Sequence, residues 1–215
     1  MAKSAKMRKA LAKELQKENL MEKIVLTQPA PVRIFHWGFA LSLTMVILTG
    51  FELHKPLEFL ALDFGTVFVA HVAFAWLAVG FSLFRFADAL FRQDSSLIPR
   101  LRDLKMFPKL LAYYFFLRPS PPPSGKYNSG QKLIFFSWFL LFSFITIISL
   151  SSYWMDQHLD FIPRLLGGWQ VIRWIKYTAL IYFSATIPLH IYLSLTEDVS
   201  KLQAMLTGYE RKNPS

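Results

Sequence analysis

The chemistry available to this sequence is concentrated in a few ionisable side chains set in apolar surroundings. His36, His71 and His190 each lie in or at the end of a long apolar run. So does Lys176, which shares the stretch "RWIKYTALIYFSATIPLHIYL" with His190. Ionisable groups at membrane depth are costly, and they usually mark functional sites. Lys176 and His190 are separated by fourteen residues, close to four helical turns. They therefore project from one helix face, about 21 Å apart along the axis. That spacing suits two planar cofactors stacked across a bilayer, each held between this helix and another. Antiparallel helices put His36, in "RIFHW", at the depth of His190, and His71 at the depth of Lys176. Two imidazoles from facing helices can supply both axial ligands of a low-spin b-type haem, and a bundle core is where such sites are built. Each residue taken singly has a plainer reading. A membrane histidine often makes a helix–helix hydrogen bond, and Lys176 could snorkel to the outer interface. His54, in "FELHKP", and His158, in "MDQHLD", read as solvated or partner-facing.

The elements that must position these groups are four apolar runs in a chain of 215 residues that is 53% hydrophobic. They cover about Ile34–Leu53, Phe64–Phe86, Leu133–Tyr153 and Val171–Leu195, each long enough to cross a hydrocarbon core, which takes about 20 helical residues. The mean hydropathy of +0.33 is too high for an ordinary soluble domain of this size. The expected fold is an all-α membrane protein, a four-transmembrane-helix bundle. Cysteine is absent, which excludes disulfides, covalently attached c-type haem and Cys-ligated iron–sulfur clusters on this chain. About thirty polar residues precede the first run, so that run reads as a retained helix rather than a signal peptide.

The net charge of +10 is distributed for a membrane and not for nucleic acid. Eight Lys or Arg precede the first span, from Lys3 to Arg33, and nine lie between Arg85 and Lys132. The tail adds Lys201, Arg211 and Lys212, whereas the other two loops hold only Lys55 and Arg164. By the positive-inside rule both termini and the long middle loop are cytoplasmic. The expected organisation is a basic N-terminal segment (1–29), a membrane domain (30–200) and a cytoplasmic tail (201–215). Residues 1–22 read either as a basic amphipathic helix on the membrane surface or as a solvated tail. The middle loop mixes basic and apolar residues in "SSLIPRLRDLKMFPKLLAYYFF" and could lie along the interface. "RPSPPPSG" then breaks the chain before "KYNSGQK" leads into the third span.

Four stretches, "RIFHWGFALSLTMVILTG", "FVAHVAF", "KYNSGQK" and "LHIYLSL", give residues 30–200 a resemblance to a known family. The chain resembles the cytochrome b (gamma) subunits of respiratory formate dehydrogenases, and it is similar to the related cytochrome b subunits of membrane-bound nickel–iron hydrogenases. The resemblance implies two b haems. His36 and His190 would hold the cytoplasmic-side haem, and His71 would be one ligand of the outer haem. The family's second outer ligand is a histidine, and Lys176 stands in its place here. Three outcomes are open: the neutral amine of Lys176 ligates the iron, another group such as His158 or a partner residue does, or the outer haem is lost. The resemblance further implies menaquinone or another quinone beside the inner haem, bound by Asn128, Gly130 and His190, with Gln131 as an added donor. "NSG" also reads as a plain turn before a helix. Arg33 is a candidate partner for a haem propionate, or an ordinary positive-inside arginine.

The function implied is electron transfer between an outer-face partner and quinone near the cytoplasmic face of a bacterial or archaeal inner membrane. The partner would be an iron–sulfur or multihaem cytochrome subunit, itself attached to a catalytic subunit; this chain carries no primary catalytic site. One alternative reverses the flow, with quinol oxidised and electrons sent outward to a terminal reductase or multihaem cytochrome. Another is a haem-free anchor in the lipid.

Overall fold

The computed structural model describes residues 23–54, 61–153, 161–197 and 199–212. The N-terminal segment read as an amphipathic helix lies outside them. In chain order the elements are β1 (Lys23–Leu26), α1 (Ala30–His54), α2 (Phe64–Arg92), α3 (Leu101–Tyr114), α4 (Ser129–Tyr153), α5 (Phe161–Leu165), α6 (Trp169–Thr196), α7 (Val199–Thr207) and β2 (Tyr209–Lys212). Helices α1, α2, α4 and α6 are long and apolar enough to cross a membrane. At most 22% of a span's residues are buried inside the protein. The apolar surface therefore faces outward, as a bilayer demands, while the helix satisfies its own backbone.

The chain divides into two compact units, one of residues Gly38–Ile187 and one of the residues up to Trp37 together with Pro188 onward. In the first unit, small residues and polar–aromatic pairs join the helices. An added Cβ at Gly38 would fall 2.2 Å from the Phe81 ring, so only glycine lets α2 lay that ring on the α1 backbone. Phe39 meets Phe142 edge to face at 5.2 Å. The indole N–H of Trp138 on α4 donates to Thr186 Oγ1 on α6 at 2.9 Å, and Ser137 shares a hydrogen bond with the Tyr182 hydroxyl. Such polar pairs join helices where lipid offers no hydrophobic force between them.

The helix starts in this unit are capped in sequence-legible ways. Asp63 precedes α2 and accepts from the Thr66 N–H at 3.1 Å. The Thr66 hydroxyl, then its N–H, hold the Asp63 carboxyl below the usual carboxylate range. Asn128 and Gln131 form a reciprocal capping box on α4. The Gln131 N–H donates to Asn128 Oδ1 at 2.8 Å and the Asn128 N–H to Gln131 Oε1 at 3.0 Å. The basic–apolar loop segment forms α3, which docks on the start of α4. Lys132 Nζ reaches both oxygens of Asp103 at 3.2 Å, and Leu110 lies where a Cβ on Gly130 would meet it at 2.9 Å.

In the other unit, β1 and β2 pair antiparallel with Leu26 opposite Tyr209 and Lys23 opposite Lys212. Gly208, at φ +95°, ends α7 and turns the chain into β2. Its N–H donates to Ala204 C=O at 2.8 Å, a left-handed helix cap. Its carbonyl accepts from the N–H groups of Thr27 and Gln28. β1 and β2 are thus clasped beside the start of α1.

Candidate functional site

The clasp sets the position of His36. Arg33 and Trp37 flank it on α1. Arg33 Nη1 donates to the carbonyl of Leu206 at 2.8 Å, and Trp37 Nε1 to that of Met205 at 3.0 Å. Those carbonyls end α7, where a cation is favoured. His36 and His190, from α1 and α6, have ring centroids 6.4 Å apart with planes at 62°. Trp37 packs edge-on against His36 at 4.9 Å. A metal–imidazole bond of about 2 Å, plus about 1.1 Å from ring atom to ring centre, puts two axial imidazoles about 6.3 Å apart across one iron. The observed spacing fits that requirement. His36 Nδ1 is buried without a hydrogen-bond partner, and a buried nitrogen of that kind calls for a ligand. Arg33 is partly committed elsewhere: one arm caps α7, while its Nε is buried and unpaired.

The second constellation belongs to the Gly38–Ile187 unit. His71 stands seven residues after Phe64, the first of α2, and Lys176 seven after Trp169, the first of α6. Lys176 and His54 lie within electrostatic range of His71. His54 ends α1, is exposed, bonds the Gly50 carbonyl through Nδ1 at 3.0 Å and stacks on Tyr177 at 5.6 Å. Thr49, buried on α1, lies 2.9 Å from His71 Nδ1. The Thr49 hydroxyl also reaches the Met45 carbonyl at 2.6 Å, and a proton given there leaves the oxygen to accept from His71. In that arrangement Nδ1 carries the ring proton and the Nε2 lone pair is left for a metal. Gly50 lies beside the ring, where a Cβ would make ordinary contact with His71 Cε1 at 3.6 Å. The structure thus sets Lys176 within electrostatic range of His71 and places a hydroxyl on its Nδ1. His158 lies outside the described residues.

The stretch expected to hold quinone is placed in the same unit. Asn128, Gly130 and Gln131 sit together at the start of α4, whereas His190 belongs to the other unit. The capping box occupies both side-chain carbonyl oxygens, leaving the amide nitrogens as the donors a quinone carbonyl could use. Part of the close approach that Gly130 permits is taken by Leu110 of α3.

Residues 27–208 match the family described as prokaryotic cytochrome b561. The chain belongs to that family. Membership implies haem b, iron and membrane electron transport. Among its relatives is the "Probable Ni/Fe-hydrogenase B-type cytochrome subunit" of Azotobacter vinelandii, 25% identical over 92% of this chain and 93% of that one. Its counterpart of the same description in Bradyrhizobium diazoefficiens is 27% identical over 86% and 83%. That of Cupriavidus necator is 23% identical over 84% of each. These relatives lie on the hydrogenase side of the resemblance read from the sequence, and none of the three is a formate dehydrogenase subunit. For a cytochrome b561 family member, a pair of axial side chains is a sufficient donor set, because the porphyrin supplies the other four bonds to iron.

Thr49, Trp37 and the α7 clasp escaped sequence reasoning. Thr49 alone left a signal, a hydroxyl within the "MVILTG" run on the span facing His71. Nothing local to Trp37 points to a carbonyl 168 residues away.

Proposed function

We propose that this cytochrome b561 family protein is the haem b subunit of a hydrogenase-like respiratory complex, moving electrons between a redox partner at the outer face and quinone near the cytoplasmic face. The observation that carries the reading is the His36–His190 pair, two imidazoles on facing helices at the spacing one iron requires. Bound haem b would supply a one-electron carrier at each site. His36 and His190 would hold one haem through their ring nitrogens, with Arg33 Nε beside it. His71 would hold the other through Nε2, with Thr49 fixing the ring and Lys176 offering a neutral amine opposite. The charged ammonium has no lone pair, so ligation requires Lys176 to give up its proton.

Quinone reduction needs donors to the quinone oxygens and a route for protons. The amide nitrogens of Asn128 and Gln131 are suited to the first task. The positive-inside distribution of Lys and Arg supports a cytoplasmic location for both termini, and hence proton uptake on that side. The names of the relatives support a hydrogenase as the catalytic partner, joined through an iron–sulfur or multihaem subunit. The membrane would be the prokaryotic inner membrane.

The test is quinone reduction by the assembled complex carrying His190→Met. Haem at the His36–His190 site and quinone reduction should fall together. Normal quinone reduction with that haem absent would remove His190 from the path.

A further inference from the structure

A cavity of about 280 Å³ opens where α3, the proline-rich loop and the start of α4 converge. Its lining includes Arg100, Arg102, Lys132, Tyr127 and Ser129, with Asp103 as the one carboxylate. Asp103 is engaged on two sides, by Lys132 Nζ at 3.2 Å and by the Arg100 N–H at 2.8 Å. The lining therefore keeps an excess of positive charge. Two helix N-termini also reach it, since Arg100 and Arg102 open α3 and Ser129 opens α4. The positive ends of helix dipoles and their unpaired N–H groups favour an anion. Ser129 makes the site specific. Its residue is only 6% exposed, and its hydroxyl oxygen is buried with no hydrogen-bond partner. A buried hydroxyl left in that state is destabilising unless a ligand completes it.

The location selects the anion. Ser129 is the first residue of a membrane-spanning helix, so the cavity lies where that helix meets the headgroups. Beside the cavity, α3 exposes Leu101 at 79% and Leu104 at 54% along with Arg102 and Lys105. That mixture suits a surface lying among lipids, with acyl chains against leucine and phosphate against the basic groups. A neutral quinone ring would leave the cationic lining uncompensated. We infer that this cavity binds the phosphate of an anionic glycerophospholipid, held by Arg100, Arg102 and the Ser129 hydroxyl.

The experiment uses the full-length haem-loaded protein in mild detergent. Native mass spectrometry would follow binding of phosphatidylglycerol, phosphatidylcholine and inorganic phosphate to the wild type and to Arg102→Gln, Ser129→Ala and Lys109→Gln. Lys109 lies on α3 but does not line the cavity. Phosphatidylglycerol should bind the wild type more tightly than phosphatidylcholine, and Arg102→Gln should weaken it about fivefold, the contribution of one basic contact at a membrane surface. Ser129→Ala should weaken it as well, without a change in net charge, while Lys109→Gln leaves it unchanged. An unaltered haem spectrum certifies that each variant is folded. Equal losses from Lys109→Gln and Arg102→Gln would reduce the effect to general attraction and overturn the site. Displacement of phosphatidylglycerol by millimolar inorganic phosphate would overturn the lipid assignment in favour of a free anion.

Discussion

The His36–His190 and His71–Lys176 constellations are built by opposite means. His36 is positioned from outside its own helix. The residues on either side of it, Arg33 and Trp37, are pinned to the last carbonyls of α7, and α7 is turned back by Gly208 into β2, which pairs with β1. The ring itself keeps a buried nitrogen without a protein partner. His71 is positioned by direct contact. The Thr49 hydroxyl lies 2.9 Å from its Nδ1. One site offers two imidazoles whose surroundings hold the backbone; the other offers one oriented imidazole and an amine. On the proposed reading, similar chemistry would rest on a long-range clasp at one site and on a single hydrogen bond at the other, and the two should fail in different ways.

The largest effect should come from removing a ligand. His36→Leu should abolish haem at the His36–His190 site and leave the His71 site filled, as read by the difference spectrum of each haem in a redox titration. Loss of both would mean that the sites are one cooperative unit. Next is Thr49→Val, which removes the acceptor for His71 Nδ1 at nearly constant volume. Loss of such an orienting partner typically lowers metal affinity 10–100-fold, so about that loss is expected at the His71 site alone. Unchanged affinity would show that Thr49 does not set the tautomer. Gly208→Ala is milder. A left-handed residue with a side chain is destabilised by about 1–2 kcal/mol, and the added Cβ would lie 3.1 Å from the Gln28 carbonyl. Thermal melts should show the His36–His190 haem released earlier and the His71 haem at its normal temperature. Simultaneous release would contradict the clasp.

The smallest effect lies outside both sites. The Arg100 N–H, then Lys132, hold the Asp103 carboxyl below its usual range. A depressed acid stabilises the fold above its ordinary range and loses that contribution as pH falls through its folded value. The docking of α3 on α4 should therefore be intact at neutral pH and weaken as pH drops below about 4. Hydrogen exchange across 101–114 should rise there, and Asp103→Asn should give the same rise at pH 7 with both haem spectra unaltered. Identical exchange in variant and wild type would show that the ion pair does not hold α3.

Most of the fold was legible because lipid imposes a simple demand. Runs such as "LIFFSWFLLFSFITIIS" can only be satisfied as spanning helices, and all four spans stand where the apolar runs placed them. Their ends extend further, since α1 begins at Ala30 and α4 at Ser129. Polar residues such as Arg33 and Gln131 belong to the helix even though they fall outside a hydropathy window. The turn reading of "NSG" became a capping box because Gln131 stands three residues after Asn128, a spacing that carries its own mechanism. The proximity of the His36 and His190 rings was legible from helix direction and depth. The strand pair and α7 were not, because four-residue strands at opposite ends of a chain leave no periodicity to read, and their register depends on a glycine turn far from β1.

The most direct test of the central claim is the amount of haem b per polypeptide in purified, haem-replete protein, measured by pyridine haemochrome. Two haems per chain are predicted, one on His36 and His190 and one on His71 and Lys176. A value near one would contradict the Lys176 amine as an iron ligand, and a value near zero in well-folded protein would contradict the haem reading as a whole.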